Sequence, residues 1–102
     1  MIPNNSVNTN GFSLAFHLNE NVRMQDIVRL WPDAEMDGYY DPEKGYDDGI
    51  EAGFSTPNGN FYLYSRWGNL RLGCIDGWNN PHALEWIMQI YASLASGKGQ
   101  EY

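Results

Sequence analysis

The 102-residue sequence predicts an α+β fold: a two-layer sandwich with two helices on one face of a mainly antiparallel, three- to four-stranded sheet, in the order β-α-β-β-β-α. Three patterns predict it. Apolar and polar residues alternate over 12–18, two segments carry apolar residues at helical spacing, and the β-prone segments between them are divided by turn residues.

Residues 1–11, MIPNNSVNTNG, hold four Asn and no Lys or Arg, and they read as a loose tail without the features of a targeting segment. Phe12, Leu14, Phe16 and Leu18 then alternate with Ser13, Ala15 and His17, the period of a strand with one buried face. Asn19-Glu20-Asn21 supplies capping side chains and an acid for a helix start. Met24, Ile27, Val28 and Trp31 follow at helical spacing, and Pro32 ends the helix by pushing Trp31 out of the helical region. A right-handed crossover through this helix would give the first strand a parallel neighbour.

Residues 33–51, DAEMDGYYDPEKGYDDGIE, differ in kind. They hold eight acids and one lysine, a net of −7, while the remainder has five of each sign and nets zero. Gly38, Pro42, Gly45 and Gly49 divide the segment into turns or short edge strands.

The meander comes next. Ile50, Ala52 and Phe54 alternate up to a turn at Pro57-Asn58-Gly59, and residues 61–67, FYLYSRW, form a second β-prone run. Gly68-Asn69 reads as a two-residue turn, which pairs Trp67 with Leu70, Arg66 with Arg71 and Leu63 with Cys74. Phe61, Leu63, Trp67, Leu70, Leu72 and Cys74 then face the core, and Tyr62, Tyr64, Arg66, Arg71 and Ile75 face away. Asn80-Pro81 opens the last helix, with Leu84, Ile87, Met88, Tyr91 and Leu94 on its core face and Trp86 and Ile90 beside them. Gly97 caps it, and 97–102 reads as a second tail.

Length and composition set the bounds. At 11.6 kDa and 42% hydrophobic, the chain reads as a single domain, 1–102, able to bury a core without metal or disulfide staples. A net charge of −7 and a pI near 4.5 oppose direct binding to nucleic acid or to an anionic membrane. The apolar stretch within 83–95 is interrupted and too short to span a bilayer. One cysteine cannot form an intramolecular disulfide and suits a reducing compartment, so a cytoplasmic location is expected.

Motifs for common chemistries are missing. The sequence has no phosphate-binding Gly-x-x-x-x-Gly-Lys-Ser/Thr, no Gly-x-Gly-x-x-Gly and no His-Glu-x-x-His. A calcium loop counted from Asp41 fails, because Tyr46 stands where glycine is needed and Ala52 where the last carboxylate belongs. Cys74 alternates with Leu70 and Leu72 and reads as a small buried hydrophobe, while His82 falls in the first turn of a helix. No catalytic residue, metal site or cofactor is therefore predicted. An enzyme is not expected; its best case would pair His17 with an acid.

Two surfaces carry binding potential. In the first, Tyr39, Tyr40 and Tyr46 lie among Asp37, Asp41, Glu43, Asp47 and Asp48. Tyrosines give rigid contact area at low entropic cost, and the concentrated charge would steer a basic partner and imitate a nucleic-acid backbone. The expectation is a small acidic, non-enzymatic protein that occludes a basic functional surface of another protein. Inhibitors of the immunity or phage anti-defence type act by that physics. In the second, Tyr62, Tyr64, Arg66, Arg71 and His17 share a sheet face that could take a small anionic ligand such as a nucleotide, or pack on a second copy as a homodimer.

Overall fold

The computed structural model describes residues 1–99 and is an α+β fold. Its elements are β1 (Ile2–Pro3), β2 (Phe12–His17), α1 (Met24–Leu30), β3 (Ile50–Thr56), β4 (Gly59–Arg66), β5 (Asn69–Ile75) and α2 (Ala83–Ser96). The five strands form one sheet in the order β1-β3-β4-β5-β2, and every pairing is antiparallel. The parallel crossover expected through α1 is not made: β2 pairs antiparallel with β5, closing the far edge of the meander.

The fifth strand comes from the segment read as a tail. Ile2 and Pro3 pair with Ser55 and Phe54, and Met1 is fully buried in the core. Asn4 continues the attachment, its N–H donating to the Gly53 carbonyl at 2.8 Å and its amide to Ser55 Oγ at 2.8 Å. At the other end, Gly97 (φ +72) caps α2, and its N–H bonds to the Ser93 carbonyl at 2.9 Å. Gly99 lies so close to the Leu30 carbonyl and the Trp31 ring that a side chain there would collide with both. The expected tail at 97–102 is thus packed on α1 as far as Gly99, and 100–102 lie outside the described residues.

An aromatic stack holds the two layers together. Trp31 meets Phe54 edge-on at 5.5 Å, Phe54 stacks on Phe61 at 5.3 Å, and Phe61 stacks on Trp86 at 5.3 Å. The Trp86 indole N–H donates to Thr56 Oγ1 at 3.1 Å, which satisfies its polar edge. Met24, Ile27 and Leu30 from α1 and Ala83, Ile87 and Ile90 from α2 close over the stack.

The stack also decides which face of α2 turns inward. Of the expected core face, Ile87 is buried and Leu94 packs against the core, but Leu84, Met88 and Tyr91 point outward, with Leu84 58% and Met88 62% exposed. Of the two apolar stripes on this helix, the one bearing Trp86 and Ile90 buries more apolar area, so it wins the core. Tyr91 retains a role at the surface, where its hydroxyl accepts the Asn19 N–H at 2.7 Å. α1 starts later than its capping cluster: Asn19 makes a preceding turn, and Arg23 is the N-cap, its N–H bonded to the Asp26 carboxylate at 2.9 Å.

Two registers differ from the sequence expectation, each for a physical reason. β2 carries a bulge between Leu14 and Phe16, which reverses its alternation midway. Phe16 and Leu18 therefore pack on the core, while Phe12 stacks on Tyr62 at 5.8 Å on the face away from the helices. The β4–β5 hairpin turns at Trp67-Gly68, so Arg66 pairs with Asn69, Tyr64 with Arg71 and Phe61 with Cys74. This shift of two residues keeps Phe61, Leu63, Leu70, Leu72 and Cys74 on the core face. It also avoids setting two arginines directly opposite one another, which would be destabilising. Trp67 leaves the core as a result.

Candidate functional site

The acidic segment is an ordered loop that rests on the β4–β5 hairpin. Asp37 and Glu51 exchange backbone hydrogen bonds of 2.8 and 3.1 Å, which anchors the start of the loop to β3. Asp41 and Tyr46 do the same at 2.7 and 2.8 Å across a 3-10 turn, Pro42–Lys44, that ends in left-handed Gly45 (φ +82). Behind this turn, the Gly49 N–H donates to the Ser65 carbonyl at 2.7 Å, and the Ser65 hydroxyl donates to the Asp47 carbonyl. The Asp48 carboxylate accepts the Trp67 N–H. Backbone pairing, not the carboxylates' own contacts, thus holds most of the loop in place.

Its side chains divide into two sets. Tyr40 is half-buried against the core, and its hydroxyl is pushed up from its ordinary pKa by burial, with Asp47 and Asp26 adding to the effect. Tyr39 and Tyr46 stand out at 67% and 53% exposure and meet edge-to-face at 5.2 Å. Asp37, Glu43 and Asp48 are exposed, and Asp41 and Asp47 are partly so. Lys44, the lone cation of the segment, sits 3.9 Å from the Asp41 carboxylate. All eight candidate residues of the first surface therefore lie on one loop, seven of them presented outward and Tyr40 acting as its root.

Sequence reasoning missed one member of this surface. Trp67, expected in the core, occupies the hairpin turn at 75% exposure, where the bond from Asp48 ties it to the acidic loop. The Arg66 guanidinium lies over its ring, 4.6 Å from the centroid. The sequence held a signal for this in Trp67-Gly68, a second two-residue turn that competes with Gly68-Asn69 and preserves the same core face.

The second surface is brought together only in part. Tyr62, Tyr64 and Arg71 share the face away from the helices, and His17 pairs with Arg71 in the β2–β5 register and is exposed. Arg66 is drawn away to the Trp67 ring. The Tyr62 ring lies against Gly73, where a Cβ would come within 2.4 Å of it. Burial raises the Tyr62 pKa, Glu51 adds to the rise, and Arg71 opposes it. Among the described residues, the buried Nε of Arg71 has no hydrogen-bond partner.

Next to this face is a cavity of about 300 Å³ lined by Asn4, Asn5, Glu35, Asp37, Glu51 and Tyr62 among others. Glu51 titrates above its ordinary value, first because it is partly buried and second because Asp37 lies beside it. The Cys74 thiol, fully buried and donating to the Gly77 carbonyl at 3.3 Å, is pushed up by burial and by Asp76. His82 lies 3.5 Å from Glu85 on the first turn of α2 and apart from both surfaces. Among the described residues, no group of three or more His, Cys, Asp or Glu side chains is placed to hold a metal ion, and no helix is long and apolar enough to cross a membrane. In comparisons with known proteins, no family model, no curated protein and no solved structure matches the chain.

Proposed function

We propose that this chain is a small, non-enzymatic binding protein whose acidic, tyrosine-bearing loop occludes a basic functional surface of a partner protein. Carboxylates of the loop stand where phosphates would, and Tyr39 and Tyr46 fill the spaces between, in the manner of inhibitors of the immunity or anti-defence type. One observation carries the reading: the segment that holds the whole net charge of −7 is pinned by backbone pairing at Asp37–Glu51 and Asp41–Tyr46, so it is a preformed surface. Preorganisation lowers the entropy lost on binding, and like charges held together act on the partner as a single steering field. The same field opposes nucleic acid and anionic membrane as partners, and a lone, buried thiol fits a cytoplasmic setting.

The test is affinity capture with the wild-type chain beside the quadruple variant Asp37→Asn, Asp41→Asn, Glu43→Gln, Asp47→Asn, at low and high salt. Asp48 is left in place because its carboxylate holds the Trp67 N–H. A basic protein retained only by the wild type, and released by salt, is the expected result. Equal retention by both chains contradicts the reading.

The unpartnered Arg71 Nε favours a second reading, in which an anionic group sits against Tyr62, Tyr64, Arg71 and His17. That group would be a small ligand such as a nucleotide, or a carboxylate of a second copy in a homodimer. Arg71→Ala should abolish such binding and leave the acidic loop's partner untouched.

A further inference from the structure

We infer that Trp67 is the anchor of the acidic face, the side chain that enters an apolar slot on the cationic partner. The inference rests on the reading above and adds a second requirement to the partner: the basic surface must contain a pocket for an indole.

The backbone is the first ground. Trp67 and Gly68 form the two-residue turn between paired Arg66 and Asn69, with φ of +53 and +78. Turns of this hand favour Asn-Gly, because most side chains are strained at positive φ. A bulky aromatic is strained at the first position, and such strain persists only where the surroundings hold it. Here they hold it from both sides. Asp48 accepts the Trp67 N–H, and the Arg23 guanidinium donates to the Gly68 carbonyl.

The side chain is the second ground. Trp67 is 75% exposed, so the strain is not repaid by burial within this chain. Arg66 covers one face of the indole at 4.6 Å, leaving the rest of the ring for contact. A large rigid aromatic ringed by polar groups has the composition of an interface hot spot. Trp78 is as exposed, at 76%, but sits in the Gly77–Asn79 turn before α2 and not on the acidic segment or its hairpin.

Charge selects the occupant. A second copy would bring two strips of net −7 face to face, and a nucleic acid or an anionic membrane would be repelled in the same way. The remaining partner is a protein surface of Lys and Arg side chains around an apolar recess.

Two synthetic peptides of equal length and charge test the inference, one alternating lysine with serine and one alternating lysine with leucine. The wild type should bind the lysine–leucine peptide about ten-fold tighter than the lysine–serine peptide. Trp67→Asn should erase that preference, keep the lysine–serine affinity, and melt at or above the wild-type temperature, since Asn suits the turn. A preference that survives Trp67→Asn, or a variant that melts well below the wild type, overturns the inference while the charge reading stands. Failure of the wild type to bind either peptide at low salt overturns both.

Discussion

Two aromatic clusters in this molecule behave oppositely. Trp31, Phe54, Phe61 and Trp86 stack through the core, all buried, with the Trp86 N–H bonded to Thr56. Tyr39 and Tyr46 meet on the acidic loop, and Trp67 stands on the hairpin turn bonded to Asp48, all three exposed. The first cluster is where burial of apolar area stabilises the fold. The second exposes apolar area and holds a strained turn, and its stability comes from backbone bonds made by neighbours. The proposed binding role gives this cost a use, since stability and function commonly trade against one another.

The sharpest way to break this contrast is Trp86→Ala. Loss of the stack's last ring should destabilise by about 3–5 kcal/mol, a large share of the stability of a domain this size, measured by denaturant unfolding. Trp67→Asn is its counterpart, and thermal melting should show no loss. A comparable loss at both tryptophans would erase the distinction between the clusters.

Asp48 separates charge from geometry in the exposed cluster. Asp48→Ala should cost about 1 kcal/mol by freeing the Trp67 N–H, whereas Asp48→Asn keeps the acceptor and should cost less. Equal losses would mean that the carboxylate acts through its charge alone.

The smallest effect is expected at Glu51. Its folded-state pKa is raised, by burial and then by Asp37, so the folded state binds the proton more tightly than the unfolded state. Stability from this group is therefore present at acid pH and lost as pH rises from the ordinary carboxyl value through the raised one. Glu51→Gln should raise the melting temperature at neutral pH by no more than about 4 °C, and the gain should vanish in acid. A gain independent of pH would contradict the assignment.

The fold was legible in the sequence where hydrophobic period and turn chemistry agree. The three meander strands, both helices and the Gly97 cap follow from spacing alone. Three features were hidden, each because a one-residue choice is nearly neutral in local pattern. A bulge at Ala15 reversed β2, a second apolar stripe competed for the core face of α2, and two adjacent dipeptides competed for one hairpin turn. Long-range contacts settled all three: Tyr62 on Phe12, Trp86 on Phe61, and Asp48 on Trp67. β1 was hidden for another reason: two residues have no period, and what holds them, Met1 burial and pairing with Phe54 and Ser55, is long-range. The acidic loop was legible as a surface from charge alone, whereas Trp67 as part of it required the register.

Whether the acidic loop steers a partner is decided by the salt dependence of association between this chain and a basic protein captured with it. Rates for the wild type and for the Asp37→Asn, Asp41→Asn, Glu43→Gln, Asp47→Asn variant would be measured across a range of salt. The wild type should associate roughly 10- to 10³-fold faster at low salt than at high salt, and the variant should lose most of this acceleration. Equal rates for the two chains at every salt concentration would contradict steering by the loop.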